Sequence, residues 1–382
     1  MPKKRFSGLA LVLSLVLAVS AMAPTGTAWA AGAQPVCPGP VADGFTHCHA
    51  WVWRPKATSS PTGLSPAQIK AAYGFSTSST AGAGKTIAIV DAYDDPTAES
   101  DLAVFSSQYG LPACTTANGC FKKVNQTGGT SYPRVNTGWA LEISLDIQWA
   151  HAIAPGAKIL LVEASSNGFS NLLAAEDYAR AHASYVSNSW GGSEFTSESS
   201  YDSHFVQSGV SFFVSAGDAG LPAEYPSASP NVISVGGTTL LFDGSGNFTG
   251  ETGWSSGGGG CSAYEKANAS QSSFSQYPQV NCASMRATPD VSLDADPASG
   301  VSVYDSTKYQ GQAGWFKVGG TSASSPMWAA RAADSTATVV NAPFVYGNNI
   351  TFRDITSGNN GADCLAGFDL CSGRGSWTGA TP

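Results

Sequence analysis

The segment from Gly138 to Ile153 is apolar on nearly every side. Trp139, Leu141, Ile143, Leu145, Ile147, Trp149 and Ile153, with Ala140, Ala150 and Ala152, leave no polar stripe. A helix of that kind is buried all round, so the rest of the chain must supply layers to enclose it. Two acids interrupt it, Glu142 and Asp146, four residues apart and therefore on one face. Burying two carboxyls together is expensive, and at least one must hold a proton into mild acidity. Structure alone seldom retains such a pair, which makes it a candidate site.

The flanking sequence alternates between two periods. Thr86–Asp91, Lys158–Glu163, Tyr185–Trp190, Ser211–Ser215 and Val232–Val235 are short β-branched or apolar runs and read as strands. Helices are predicted near 97–109, 169–183 and 197–208, with a short capped one at Leu64–Lys70. The alternation predicts an α/β domain on a largely parallel sheet. Sites in such sheets lie beyond the strand carboxyl ends, where Asp91 and Asp218 both stand. Residues 251–318 are Gly- and Ser-rich and read as loop, as do the last 30 residues.

Lys3, Lys4 and Arg5 precede an apolar run to about Ala23, and Ala28-Trp29-Ala30 ends it with small residues. This predicts a secretory signal peptide over 1–30, then an irregular surface arm over 31–64 and a catalytic domain over 65–382. No later run is long enough to span a membrane. The formal charge is −8 and only 12 % of residues are charged, with no basic stripe; nucleic acid is excluded as a partner. The eight cysteines fall in close couples, 37 and 48, 114 and 120, 261 and 282, 364 and 371. Four local disulfides are the simplest expectation for an exported chain. A monomer is expected.

Gly319-Gly320-Thr321-Ser322-Ala323-Ser324-Ser325-Pro326 turns sharply into an apolar run read as a helix, with Pro326 in its first turn. That puts Ser322 near a helix N-terminus, which favours developing negative charge. A lone serine of this kind is more often a cap than a nucleophile. Ser215-Ala216-Gly217-Asp218 ends a strand and projects an aspartate at the sheet's carboxyl edge; alone it is an ordinary turn.

Taken in order, Glu142-x-x-x-Asp146, Ala154-Pro155-Gly156-Ala157, Ser189-Trp190-Gly191, Gly217-Asp218 and Gly320-Thr321-Ser322 with Pro326 resemble the sedolisin family of serine-carboxyl peptidases. The resemblance covers roughly residues 64–373. It implies a subtilisin-like fold and acts on protein or peptide substrates. Ser322 would be the nucleophile, Glu142 its base, Asp146 the support for Glu142, and Asp218 part of the oxyanion hole. Ser189, Trp190 and Gly191 would form an edge for substrate backbone, although Trp190 reads equally as core. Asp354 and Asp369 with the carbonyls of Ile355, Leu365 and Gly367 would bind one structural calcium. Where the family has Gly-x-Gly-x-Asp, this chain has Leu365-Ala366-Gly367-Phe368-Asp369. A protonated Asp218 beside an ionised base implies working conditions of roughly pH 3–5.

The resemblance also implies a long prodomain, and the stretch between Ala30 and Thr86 is too short for one. The segment from Ala329 to Phe352 is short and polar, and an irregular last helix is expected. Three other readings stay open. A histidine-dependent subtilisin would use Asp91, but none of His47, His49, His151, His182 and His204 lies in a His-Gly-Thr sequence, and His151 is on the far face of the helix from Glu142. A glycosidase could use Glu142 and Asp146, although one helix is an odd place for groups that must flank a sugar. A secreted binding protein with an inactive site would keep the same fold.

Overall fold

The computed structural model describes residues 1–2, 32–39, 42–347 and 350–379. The expected signal peptide therefore lies, but for its first two residues, outside the described residues. The arm that follows is not an irregular surface wrap. It forms three short strands, β1 (Ala33–Pro35), β2 (His47–Cys48) and β3 (Trp51–Trp53). Cys48, His49, Ala50 and Val52 are all buried. The strands are two or three residues long; β1 pairs with β3 inside the arm, while β2 and β3 pair with the distant β8 and β17, so no local periodicity announces them.

Helix α1 (Pro66–Tyr73) starts on a capping box: the Ser65 side chain accepts from Gln68 N–H, and Gln68 reaches back to Ser65. The central layer then builds in order. β4 (Thr86–Ala92), α2 (Ala98–Tyr109), β5 (Phe121–Asn125), α3 (Thr137–Ile153), β6 (Lys158–Ala164), α4 (Phe169–His182), β7 (Tyr185–Asn188), β8 (Trp190–Ser193) and β9 (Ser211–Ser215) follow one another. After them come β10 (Glu224–Tyr225), β11 (Ile233–Phe242) and β12 (Phe248–Gly253). The expected helix at 197–208 is a 3-10 stretch, Glu198–Phe205.

The main sheet runs β12-β11-β9-β7-β4-β6-β5, with β15 (Val291–Asp294) also on β11. All its pairs are parallel except β11 with β12. Parallel strands need crossovers and burial on both faces, which is why β4 reads as an unbroken apolar run. The fold is subtilisin-like α/β, as expected. Helix α3 is buried from Trp139 to Ile153 and packs against α2, β4 and the last long helix, α5 (Thr321–Ala333). That helix is buried along its whole length, and the segment after it carries only a five-residue last helix, α6 (Ala342–Tyr346).

Residues 260–319 are not loop. They form β13 (Gly260–Lys266), β14 (Met285–Thr288), β15 (Val291–Asp294), β16 (Val301–Tyr309) and β17 (Gln312–Gly319). β16 and β17 make a hairpin whose two turn residues, Gln310 and Gly311, both have positive φ. This is the twist-matched two-residue turn, written here without the Asn-Gly that signals it. The eight cysteines pair locally, Cys37–Cys48, Cys114–Cys120, Cys261–Cys282 and Cys364–Cys371. No helix among the described residues is long and apolar enough to cross a membrane.

One buried ion pair ties β14 to β15. Arg286 meets Asp290 through both guanidinium nitrogens, at 2.7 and 2.5 Å, and Asp290 Oδ2 also accepts from Ser234 N–H. Both side chains are essentially sealed from solvent. Removing one partner strands the other, so Arg286→Ala is expected to cost about 3–5 kcal/mol, read as a lower denaturant midpoint at unchanged slope.

Candidate active site

Strand β17 ends at Gly319, and the chain turns into α5 through Gly320, at φ 91°. A Cβ at Gly320 would collide with the His49 carbonyl oxygen and come within 2.7 Å of Asp218 Oδ2. Glycine is therefore required, and it leaves the helix without a side-chain cap of its own. Asp218, on the loop after β9, supplies one from across the sheet. Its Oδ1 accepts from Thr321 N–H at 2.7 Å and Thr321 Oγ1 at 2.8 Å. Ser322 is then the second residue of α5. Its hydroxyl donates to Ser189 O at 3.3 Å and its N–H to His49 O at 3.2 Å.

Pro326 sits inside the helix rather than in its first turn. A proline there has no N–H for the carbonyl four residues back, which is that of Ser322. The Ser189 hydroxyl donates to that carbonyl instead, at 3.4 Å.

Glu142 and Asp146 project from α3 toward this point, and Asp91, ending β4, joins them. One oxygen from each of the three lies within 4.8 Å of the others. All three are fully buried, and their six oxygens have no hydrogen-bond partner among the described residues. Burial first, and then the neighbouring acids, pushes Glu142 and Asp146 far above the usual carboxyl range. Burial pushes Asp91 up to about 8. The Ser322 and Ser189 hydroxyls face Glu142 and Asp146 and pull the other way, from beyond hydrogen-bonding geometry. Three carboxyls this close share protons, and the charge belongs to the cluster rather than to one member. Asp218 is pushed up to about 7 by burial, against the opposing pull of the His49 charge and the Thr321 bonds. Its Oδ2 is buried and unpartnered. The site thus joins a helix-start serine, a buried acid cluster and a carboxyl that stays protonated in acid.

Residues 136–342 match the pattern of the subtilase family. The chain belongs to the subtilase family. Within it, the chain is similar to the serine-carboxyl peptidases. It is 32 % identical over 364 residues to kumamolisin from Bacillus sp. (strain MN-32), over 84 % of this chain and 63 % of kumamolisin. It is 27 % identical over 363 residues to sedolisin from Pseudomonas sp. (strain 101), over 84 % of this chain and 59 % of sedolisin. It therefore spans less than two thirds of the length of these relatives. The solved structure of Pseudomonas sedolisin, a serine-carboxyl proteinase complexed with two molecules of pseudo-iodotyrostatin, superposes at a TM-score of 0.69. The match is 27 % identical and covers 83 % of this chain and 96 % of that one.

In this subtilase, the Trp190 side chain is core: its indole donates to Val90 O at 2.9 Å. The backbone of Trp190 and Gly191 pairs with Cys48 and His47 of the arm, and β8 lies between β2 and β10. Two side chains that local sequence does not connect complete the surroundings. His49 Nδ1 meets Ser215 Oγ at 2.6 Å and its Nε2 meets Glu224 Oε2 at 3.0 Å. Neither ring nitrogen faces Ser322, so this histidine is no base for it. His151 is further off, bonded to Pro112 O at 2.9 Å. Asp91 was visible as a strand-end aspartate; its place beside Glu142 and Asp146 depends on how α3 crosses β4, which spacing does not encode.

At the C-terminal end, the Cys364–Cys371 disulfide brackets a tight loop. Gly367 N–H donates to Asp354 Oδ2 at 2.9 Å, and Leu365 N–H to Asp369 Oδ2 at 2.6 Å. The carbonyls of Ile355, Leu365 and Gly367 accept no backbone hydrogen bond from the described residues. Asp369 Oδ1 also accepts from the N–H groups of Cys371 and Ser372, at 3.0 and 2.7 Å, so backbone N–H groups engage both carboxylates.

The buried acids make stability depend on pH. Asp91, Asp95, Glu163, Glu176 and Asp218 are pushed up to about 8, 7, 9, 8 and 7, in each case first by burial. Their folded values exceed the unfolded ones, so their contribution is fully present below about pH 4 and is lost as pH rises through about 7 to 9. Glu224, held low by the His49 charge against the opposing effect of burial, works in the other sense but is one group. The melting temperature is expected to be higher at pH 5 than at pH 9 by differential scanning calorimetry.

Proposed function

We propose that this subtilase is a secreted serine-carboxyl endopeptidase that hydrolyses protein and peptide bonds in acid. One observation carries the reading: Ser322 stands at the start of α5 between a buried carboxyl cluster and the unpartnered Oδ2 of Asp218. Four disulfides support an oxidising, exported setting.

The chemistry follows from the charges. The three-acid cluster carries at most one negative charge in acid, because neighbouring carboxylates cannot all ionise in a buried site. With that charge on Glu142, the Ser322 proton has an acceptor when Oγ attacks a carbonyl carbon. Protonated Asp146 and Asp91 stabilise the same charge from behind. The oxyanion forms at the N-terminus of α5, where the Ser322 N–H and the Asp218 carboxyl proton converge. Glu142 returns the proton to the leaving amine, and water then resolves the acyl-serine by the same route. The three acids crowd one another instead of facing across a gap, which speaks against a glycosidase.

We further propose that Asp354, Asp369 and the carbonyls of Ile355, Leu365 and Gly367 hold one calcium ion. The ion would supply a fixed charge that locks the loop bracketed by Cys364–Cys371, with no part in the reaction.

Activity on a denatured protein is expected in acid and to fall as pH rises through about 7, where Asp218 loses its proton. Ser322→Ala should abolish it, and Asp218→Ala should lower kcat by about 10²–10³. A rate that climbs from pH 6 to 8 would instead reveal an imidazole base and overturn the assignment. For calcium, an excess of about 100-fold over Kd adds roughly 2.7 kcal/mol to a protein that binds only when folded. Chelation should lower the melting temperature, and Asp354→Ala should remove that dependence.

A further inference from the structure

Three ligand-type side chains converge where the arm crosses β8. His47 and His49 stand two apart on an extended segment, so their rings leave the same face. Cys48 between them pairs with Trp190 and is tied to Cys37, and His49 N–H donates to Ser189 O at 3.1 Å. These bonds fix the course of the segment and hold both rings in place. Glu224 arrives from β10, on the other side of β8 in the sheet order β10-β8-β2. Strands two apart are roughly 10 Å from each other, so the three side chains can meet only over the strand between. Gly191 leaves that space open: a Cβ there would lie 2.7 Å from the His49 ring and 3.2 Å from Glu224 Oε2. One ligand atom from each of His47, His49 and Glu224 lies within 4.8 Å of the others.

The hydrogen bonds around His49 are those of a metal ligand. Ser215 Oγ donates to Asn188 O at 3.4 Å, so it accepts from His49 Nδ1–H, at 2.6 Å. That network assigns the tautomer and turns the Nε2 lone pair toward Glu224 Oε2, at 3.0 Å. A lone pair facing a carboxylate oxygen needs a cation between them, either a proton or a metal ion. A proton is satisfied with those two partners. The third group favours the metal: His47 Nε2 stands 3.9 Å from the same oxygen, and its ring meets that of His49 edge-on, with centroids 5.0 Å apart. Ligand atoms on a tetrahedral zinc lie about 3.3 Å from one another, given bonds of about 2.0 Å. A small turn of the His47 ring therefore fills three of the four positions. That side chain is 31 % exposed and faces the open cleft beside Cys37 and Pro38, which admits the ion and leaves the fourth position to water.

We propose that His47, His49 and Glu224 form a zinc site that staples the arm to β10 across β8. Two imidazole nitrogens and one carboxylate oxygen suit zinc rather than calcium or magnesium, which take oxygen ligands. Ser215 is a positioning residue that holds His49 in the ligating tautomer. The site is separate from the cluster of Asp91, Glu142 and Asp146, which offers no nitrogen donor. Two of the three ligands belong to the arm and the third to the body of the domain, so a bound ion stabilises the arm in its place on the sheet. The ion takes no part in the chemistry at Ser322.

The test is to titrate zinc chloride into the full chain at about pH 8, where protons compete little for imidazole. Calcium is held constant, and binding is followed by isothermal titration calorimetry and melting by differential scanning calorimetry. The expected result is one zinc ion per chain and a melting temperature that rises with zinc. Ser215→Ala, which removes only an outer partner, should weaken zinc binding by about 10–100-fold, and His47→Ala and Glu224→Gln each by more. His47 is partly exposed, so His47→Ala keeps the fold and isolates the ligand. Zinc that binds the His47→Ala chain as tightly as the unaltered one, or that binds neither, overturns the site. Neither readout uses hydrolysis, so that failure leaves the peptidase reading standing, and an inactive chain that still binds zinc through His47 leaves the site standing.

Discussion

The burial of Asp91, Glu142 and Asp146 against one another is the constraint around which the molecule is arranged. Each lacks a hydrogen-bond partner among the described residues and each is sealed from solvent. Such a cluster persists only if its members stay largely protonated and the surroundings cannot relax to let water in. The fold meets the second condition with its stiffest parts. Asp91 ends β4, a strand paired in parallel on both sides by β6 and β7. Glu142 and Asp146 ride on α3, which is enclosed on every side, with Trp149 fixed by its indole to Ser302 O at 2.9 Å. The first condition is met while the solvent is acidic enough to keep the cluster largely protonated.

That constraint explains why Ser322 lies where it does. A hydroxyl beside an acid cluster is useful only if developing charge on the far side is also stabilised. Helix α5 provides this by its start, and the start is uncapped by its own residue because Gly320 has to admit a carbonyl oxygen. Asp218 fills the capping role with one oxygen and keeps the other free. One carboxyl thus performs a structural task and an electrostatic one. Its protonation state links them, since an ionised Asp218 would cap the helix better and repel an oxyanion.

Much of this was legible along the chain, and the reason is local. Strands β4, β6, β7 and β9 are apolar runs of four to seven residues, and α3 declares its burial by lacking a polar face. Glu142 and Asp146 meet because four residues make about one helical turn, and Gly320 marks the sharp entry to α5. The illegible part is long-range or chemically disguised. The hairpin of β16 and β17 turns on Gln310-Gly311, and β13 mixes small residues and one Tyr with Glu265 and Lys266 and lacks a β-branched run. His49 and Glu224 share a pocket across 175 residues. The arm's strands contribute so few residues that their partners define them: β8 and β17 for β2 and β3, and β3 for β1.

The arm shows how a short segment can be ordered by what it lies against. It borrows its strands from the walls on either side of it. It then needs little core of its own: one disulfide, Cys37–Cys48, one backbone bond from Val36 N–H to Ala50 O at 2.8 Å, and two strand pairings against the cleft walls. The affinity of such a segment is intramolecular, set by effective concentration rather than by contact area. Strand β1 adds no wall of its own: among the described residues it pairs with β3, so the order of the whole segment rests on β8 and β17.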